Sequence, residues 1–295
     1  MASFDRVGVA GAGQMGSGIA QAAATAGIPT IVRDVNDSAL RRGEAAVRSS
    51  LARLAEKGKI DRATRDGAVA RLTWTTGLAD LAGCDLIVEA VPEDAALKRE
   101  LWRELEPRCP PTTVFASNTS SLSITELAAA SGRADRFVGL HFFNPVPLMP
   151  LVEVVRGLTT SVGTFDAAMA FVRRLGKEPI VARDRSGFIV NRLLVPYLLD
   201  AVRALEQGVG SVPDIDRGMQ LGAGHPMGPL ALLDFVGLDT TLSIGEIMFQ
   251  EYREPRFAPP ALLRRMVAAG LYGRKSGRGF YDYTSDPPHP SDLAL

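Results

Sequence analysis

The chain has 295 residues, 46% of them apolar, and its 33 basic and 33 acidic side chains cancel. That length holds one large or two ordinary domains with a sizeable core, and a net charge near zero argues against a general nucleic-acid surface. Cys84 and Cys109 give no disulfide framework and suit a reducing compartment. No uncharged apolar run reaches the roughly 18 residues of a membrane span, and the first strand starts almost at Met1, so a cytoplasmic protein without a leader peptide is expected.

Val7 and Val9, among small neighbours, read as a short buried strand. Gly11, Ala12, Gly13, Gln14, Met15 and Gly16 then form G-x-G-x-x-G, and an Ala-rich helix runs on from Gln14. In such a unit the first glycine permits a tight turn, the second lets a pyrophosphate approach the backbone, and the third lets helix and strand pack closely. The helix N-terminus offers free N–H groups to the phosphates. A second apolar run, Pro29–Arg33, ends at Asp34, which lies 18 positions after Gly16, near the spacing of about 20 for a ribose-binding acid. A carboxylate there favours NAD over NADP. Arg33 beside it is able to tolerate a 2′-phosphate, and capping of the next helix is the other reading of Asp34.

Residues 37–56 and 61–71 read as a helical pair bent at Lys57–Lys59. Strands follow at Cys84–Ala90, Thr113–Ala116, Phe137–His141, Leu151–Val155 and Pro179–Ala182, with helices near 94–106 and 163–176. Strands alternating with helices indicate a parallel sheet with crossover helices. After Asp184 the pattern turns to long apolar helices broken at 208–211, 222–228 and 254–260. The expected fold is therefore α/β, a doubly wound, mostly parallel Rossmann-type sheet over 1–184, followed by an all-helical domain over 185–295. The Pro- and Ser-rich end, 284–295, is expected to be disordered. Leu193, Leu194, Val195, Leu198 and Leu199 put apolar residues on more than one face of a helix, which calls for cover from a second copy.

Ligands of an open parallel sheet bind beyond the carboxyl ends of its strands. The polar residues ending strands are Glu89 and Glu93, Ser117 to Ser121, and His141. If Phe137–Phe143 and Leu151–Val155 pair as an antiparallel hairpin centred on Pro147, His141 stands opposite Glu153, at about 5 Å between Cβ atoms. A carboxylate on one ring nitrogen fixes the tautomer and leaves the other nitrogen to exchange a proton. That pair suits acid/base work on a secondary alcohol. The scattered histidines and two distant cysteines make no metal site.

The glycine turn, Ser117–Leu122, His141–Pro147, Leu151–Val154, Gly187–Arg192 and Gly222–Pro229 together resemble the 3-hydroxyacyl-CoA dehydrogenases, over nearly the whole chain. Within that family the single-function bacterial 3-hydroxybutyryl-CoA dehydrogenases are most similar. The resemblance implies His141 as catalytic acid/base and Glu153 as its orienting partner. It implies Ser120 on the substrate's 3-oxygen and Asn191 on the reacting carbonyl. Glu93, Lys98, Ser120, Asn144 and Lys275 would contact NAD, with Asp34 on its ribose. Ser50 and Lys57 would contact coenzyme A, with Lys59 as a neighbour. The acyl-CoA substrate would be short, and the assembly a homodimer through the helical domain. His225 departs from the pattern, which more often has Tyr. The competing readings are a dehydrogenase of a free 3-hydroxy acid, of the carnitine or gulonate kind, and a non-catalytic NAD-binding protein.

Overall fold

The computed structural model describes residues 4–293 and divides into two compact units, one ending at Phe188 and the other beginning at Ile189.

The first unit is built on β1 (Val7–Ala10), α1 (Gln14–Thr25), β2 (Thr30–Arg33), α2 (Asp37–Glu56), α3 (Arg62–Ala70) and β3 (Leu72–Thr75). It continues with β4 (Leu86–Glu89), α4 (Ala95–Leu105), β5 (Val114–Ser117), α5 (Ile124–Ala130), β6 (Phe137–Phe142), β7 (Leu151–Arg156), α6 (Val162–Arg174) and β8 (Glu178–Arg183). The eight strands form one sheet in the order β3-β2-β1-β4-β5-β6-β7-β8. All neighbours run parallel except β6 and β7. The chain steps from β1 outward through β2 to β3, then returns to β4 on the other side of β1. Strand order therefore reverses between β1 and β4, and a crevice opens at the carboxyl ends of the strands there.

Local chemistry explains the elements. β1 and β4 are buried on both faces, as strands covered by helices on two sides must be, so they read as apolar runs without alternation. Side-chain caps start the helices: Asn36 accepts from Ser38 N before α2, Asp94 from Ala96 N and Leu97 N before α4, and Ser123 from Glu126 N before α5. Leu72–Thr75 gave no recognisable strand signal because it is a partly exposed edge strand of four residues. Its pairing with β2, rather than its own pattern, makes it a strand.

The second unit contains α7 (Val190–Glu206), α8 (Val212–Ala223), α9 (Pro229–Val236), α10 (Leu238–Tyr252) and α11 (Ala261–Ala268). The break between α9 and α10 falls at Gly237, whose φ of 102° lies in the region that favours glycine. On α7 Val195, Leu198 and Leu199 are buried, Leu194 is half-buried, and Leu193 is 71% exposed. One correction concerns the end of the chain. Residues 284–293 were expected to lack structure, yet β9 (Tyr281–Asp282) pairs antiparallel with β10 (His289–Pro290). Phe280 is wholly buried, and Asp234 of α9 accepts from Phe280 N and Tyr281 N. Composition suggested a loose tail, but an apolar anchor and two amide bonds to a buried carboxylate hold it. Residues 294–295 lie outside the described residues.

Candidate active site

The glycine turn connects β1 to α1 at the point where strand order reverses. Gly11 has φ 112°, and a Cβ there would lie 2.5 Å from Ala90 O. A Cβ on Gly16 would lie 1.9 Å from Gly11 O. At Gly13 a Cβ would meet nothing within 4 Å. Two of the three glycines are thus required by the protein's own packing, and the third leaves open space in front of the α1 N-terminus. A dinucleotide pyrophosphate fits that cradle.

Asp34 follows β2. Its Oδ2 accepts from Ala12 N at 2.8 Å and its Oδ1 from Asn36 N at 3.1 Å. The carboxylate is therefore held beside the glycine turn, while capping of α2 falls to Asn36. The guanidinium of Arg33 is engaged elsewhere: its Nε donates to Thr76 O at 3.3 Å. Asp34 thus faces the glycine turn, and Arg33 is tied to the residue that follows β3.

His141 and Glu153 are register partners across the antiparallel β6–β7 pair. Nδ1 of His141 lies 2.6 Å from Glu153 Oε2. Glu153 is fully buried and His141 nearly so. Phe143 and Phe188 pack on the imidazole at ring-centroid distances of 4.5 and 5.6 Å. With Nδ1 engaged by the carboxylate, Nε2 is the nitrogen left to exchange a proton with a reactant. Phe188 carries a φ of 46°, a conformation bulky side chains rarely adopt and one that recurs at functional sites.

The carboxyl ends of β4 and β5 hold a second polar group. Glu89 pairs with Ser117 in the sheet, and its Oε2 accepts from Ser117 Oγ at 2.6 Å. Its Oε1 accepts from Lys98 Nζ at 2.6 Å and Val91 N at 2.9 Å. Lys98 Nζ also reaches Glu93 Oε2 at 3.1 Å. Glu93 Oε1 in turn accepts from Thr119 Oγ1 at 2.5 Å, Ser120 N at 2.9 Å and Ser121 Oγ at 3.0 Å. Burial pushes the Glu89 carboxyl up. Burial works against the charges of Glu93 and Lys98 too, but there it is outweighed. Lys98 and the turn's hydrogen bonds bring the Glu93 carboxyl down, and the two carboxylates bring the Lys98 ammonium up.

A cleft of about 360 Å³ begins at Gly13 and Gln14 and runs between α1 and α2, with Asn144 and Pro147 on its other side. Ser50 lines it. Lys57 and Lys59 are exposed just beyond the end of α2 and do not line it; Arg42 and Arg53 do. At 100° per residue, positions 42 and 53 fall on the same face of a helix. That spacing is legible in the sequence within the helix expected over 37–56, whereas the basic bend at Lys57–Lys59 lies outside the cleft. Neither arginine is ion-paired among the described residues. Their guanidinium groups donate to Ser38 Oγ and Ser49 Oγ. Sequence reasoning also missed the ring contacts of Phe143 and Phe188 and the hydrogen bond from Phe142 N to Asn118 Oδ1.

Two expected site residues belong to the helical unit. Asn191 is the second residue of α7 and is half-buried. Lys275 Nζ donates to Asp239 Oδ2 at 2.6 Å. His225, the departure from the family pattern, lies with Nδ1 3.0 Å from Tyr197 Oη.

A glycine cradle for a dinucleotide and a buried His–Glu pair across the antiparallel β6–β7 strands define a nicotinamide-dependent dehydrogenase. Two family models match the chain: the NAD-binding domain of 3-hydroxyacyl-CoA dehydrogenase over residues 6–185 and its C-terminal domain over 187–283. The chain belongs to the 3-hydroxyacyl-CoA dehydrogenase family. It is 46% identical over 290 residues to a 3-hydroxybutyryl-CoA dehydrogenase of Bradyrhizobium diazoefficiens, covering 98% of this chain and 99% of that protein. It is 49% identical over 283 residues to one from Mycobacterium tuberculosis, covering 95% and 99% respectively. The crystal structure of (S)-3-hydroxybutyryl-CoA dehydrogenase from Ralstonia eutropha superposes with a TM-score of 0.91 at 47% identity, covering 96% of this chain and all of that one.

Proposed function

We propose that this protein interconverts (S)-3-hydroxybutyryl-CoA and acetoacetyl-CoA with NAD(H), a step of short-chain acyl-CoA metabolism. The observation that carries the reading is the 2.6 Å contact between His141 Nδ1 and Glu153 Oε2, in a unit that also holds the glycine cradle. When bound, NAD(H) supplies the hydride acceptor or donor. In oxidation, Nε2 of His141 takes the proton of the 3-hydroxyl group; in reduction it returns a proton to the developing alkoxide. Glu153 holds the tautomer and balances the imidazolium while it exists. Ser120 donates to the 3-oxygen, and the Asn191 amide to the reacting carbonyl, where charge develops. Asp34 accepts from the ribose hydroxyls and selects NAD. Glu93, Lys98, Asn144 and Lys275 complete the cofactor contacts.

The cleft along α2 suits the coenzyme A handle, with Ser50, Arg42 and Arg53 facing it and Lys57 and Lys59 beyond its end. Arginine pairs well with phosphate. Among the described residues no helix is long and apolar enough to cross a membrane, and we place the enzyme in the cytoplasm. We also propose a homodimer through the helical unit, supported by Leu193 of α7 and Leu221 of α8, which are 71% and 73% exposed. Sedimentation at micromolar concentration showing only a 31.5 kDa species would refute it.

Initial rates with NADH and NADPH against acetoacetyl-CoA, longer 3-ketoacyl-CoAs and free acetoacetate test the reading. NADH with acetoacetyl-CoA should be the best pair. Equal rates on free acetoacetate would favour a free-acid dehydrogenase, and no turnover of any of them a non-catalytic NAD-binding protein.

A further inference from the structure

We infer that Glu89, acting through Lys98 and Glu93, is a positioning residue for the turn that presents Ser120 to the substrate. The inference rests on the reading above, in which Ser120 touches the 3-oxygen.

Four observations lead to it. First, Glu89 and Lys98 are 0% and 1% exposed. A buried ion pair is commonly replaceable by apolar side chains with no loss of stability, so fold stability alone gives little reason for this one. Second, the pair sits at a special place. Glu89 is the last residue of β4, paired with Ala10 of β1 on one side and Ser117 of β5 on the other. It therefore stands where strand order reverses and ligands enter. Third, the bonds form an unbroken chain. Ser117 donates to Glu89, Lys98 donates to Glu89 and also contacts Glu93, and Glu93 accepts from Thr119, Ser120 and Ser121. Fourth, the chain ends on the backbone of Ser120, whereas Ser120 Oγ is only loosely engaged, at 3.4 Å from Glu93. The backbone is gripped and the hydroxyl remains able to turn toward a reactant.

The charges explain the order of the links. The network holds two carboxylates and one ammonium, and Lys98 neutralises one carboxylate while touching both. Without Glu89, Lys98 would retain a single anionic partner against full burial and would release its proton more readily. Glu93 would then lose the cation that keeps it ionised, and with it the grip on the 119–121 turn. The groups that face Glu93 are Lys98 from α4, the Glu89 charge from β4, and the uncharged donors of the turn.

Glu89→Gln keeps the shape and removes the charge. With NADH and acetoacetyl-CoA it should lower kcat about 10- to 100-fold, the scale of a misplaced catalytic donor, while KM for acetoacetyl-CoA moves less than about threefold. Its kcat should fall on the alkaline side at a lower pH than in the parent enzyme, as Lys98 deprotonates. Adding Lys98→Arg should abolish that alkaline fall, because a guanidinium keeps its charge. If Glu89→Gln does not fold, Ser117→Ala keeps both charges and removes one hydrogen bond that favours the charged form of Glu89. It should displace the acid-side fall in kcat to higher pH. Unchanged kcat and pH profile in whichever variant folds would overturn the inference. A parent enzyme with no turnover of acetoacetyl-CoA would instead overturn the reading on which it rests.

Discussion

Both units bury carboxylates, but they use them differently. In the sheet unit the buried Glu89 and Glu153 each face a nitrogen base that can carry positive charge, Lys98 and His141, at 2.6 Å. In the helical unit the buried Asp216 and Asp234 face backbone amides and phenols. Asp216 accepts from Leu230 N, Ala231 N and Tyr281 Oη, and Asp234 from Phe280 N, Tyr281 N and Tyr283 Oη. A carboxylate bonded to amides satisfies helix ends and ties the tail down; its charge is a cost borne for structure. A carboxylate bonded to a nitrogen base that can carry positive charge shares a proton equilibrium with it, which chemistry can use, whereas burial pushes the Tyr281 and Tyr283 phenols up and keeps them protonated donors. Asp184 shows that the division follows the partners rather than the domain. It lies in the sheet unit, yet it accepts from Ile124 N and Thr125 N at the start of α5 and acts as a staple.

The sharpest way to break this division is to remove one partner of each kind. His141→Ala should lower kcat by about 10²–10⁴-fold, the range of general acid–base catalysis, with a thermal midpoint close to the parent's. A loss below tenfold would place the acid/base elsewhere. Asp216→Ala should do the reverse. It strands two amide donors at the start of α9 and should cost on the order of 1–3 kcal/mol in denaturant unfolding, while kcat of the folded protein stays within about threefold. A large kcat loss at unchanged stability would show that this carboxylate too belongs to the chemistry.

These two variants also mark what could be read without coordinates. The equal distances of 141 and 153 from Pro147 identified the His–Glu pair, because strand register is set by counting. The glycine turn was equally legible, since backbone sterics dictate those residues. Glu89 and Asp216 were not legible in the same way. Glu89 could be seen as a polar residue ending a strand, but its ammonium partner comes from the facing side of α4. Asp216 sits inside a helix, and its partners lie 14 and 15 residues on. The cleft along α2 was half legible. Ser50 follows from the resemblance and the one-face spacing of Arg42 and Arg53 is legible, but the facing wall at Asn144 and Pro147 that makes that face a cleft is a tertiary contact. The tail was misread because its anchor, Phe280 against the α9 region, is a tertiary contact.

A smaller effect is expected at Asp34. Its carboxylate is partnered by amides, like the staples, yet it sits at the cofactor cradle and so tests whether position or partner governs role. Asp34→Ala should weaken NADH binding about tenfold and narrow the preference over NADPH, measured by fluorescence titration of both. A parent enzyme that already prefers NADPH would point to Arg33 instead.

The mildest expected effect is a pH dependence of stability. Burial pushes the Asp234 carboxyl up to about 6 from an ordinary value of 3.8. A group whose folded pKa is raised contributes stability that is full below its unfolded pKa and is lost as pH rises through its folded one. The contribution of Asp234 should therefore decline between about pH 4 and pH 6, by on the order of 1–3 kcal/mol. The difference in unfolding free energy between the parent and Asp234→Asn should trace that slope across the window. A difference independent of pH would contradict the assigned burial.

The central claim is that His141 and Glu153 act as one acid/base unit, and a double-variant cycle in kcat tests it most directly. His141→Ala, Glu153→Ala and the double variant would be compared with the parent, using NADH and acetoacetyl-CoA, with NADH binding measured in each. Residues that act together are not additive, so the double variant should lose little more than the worse single one, and NADH binding should survive in all three. Losses that multiply in the double variant would show that the 2.6 Å contact does not couple the two side chains in catalysis.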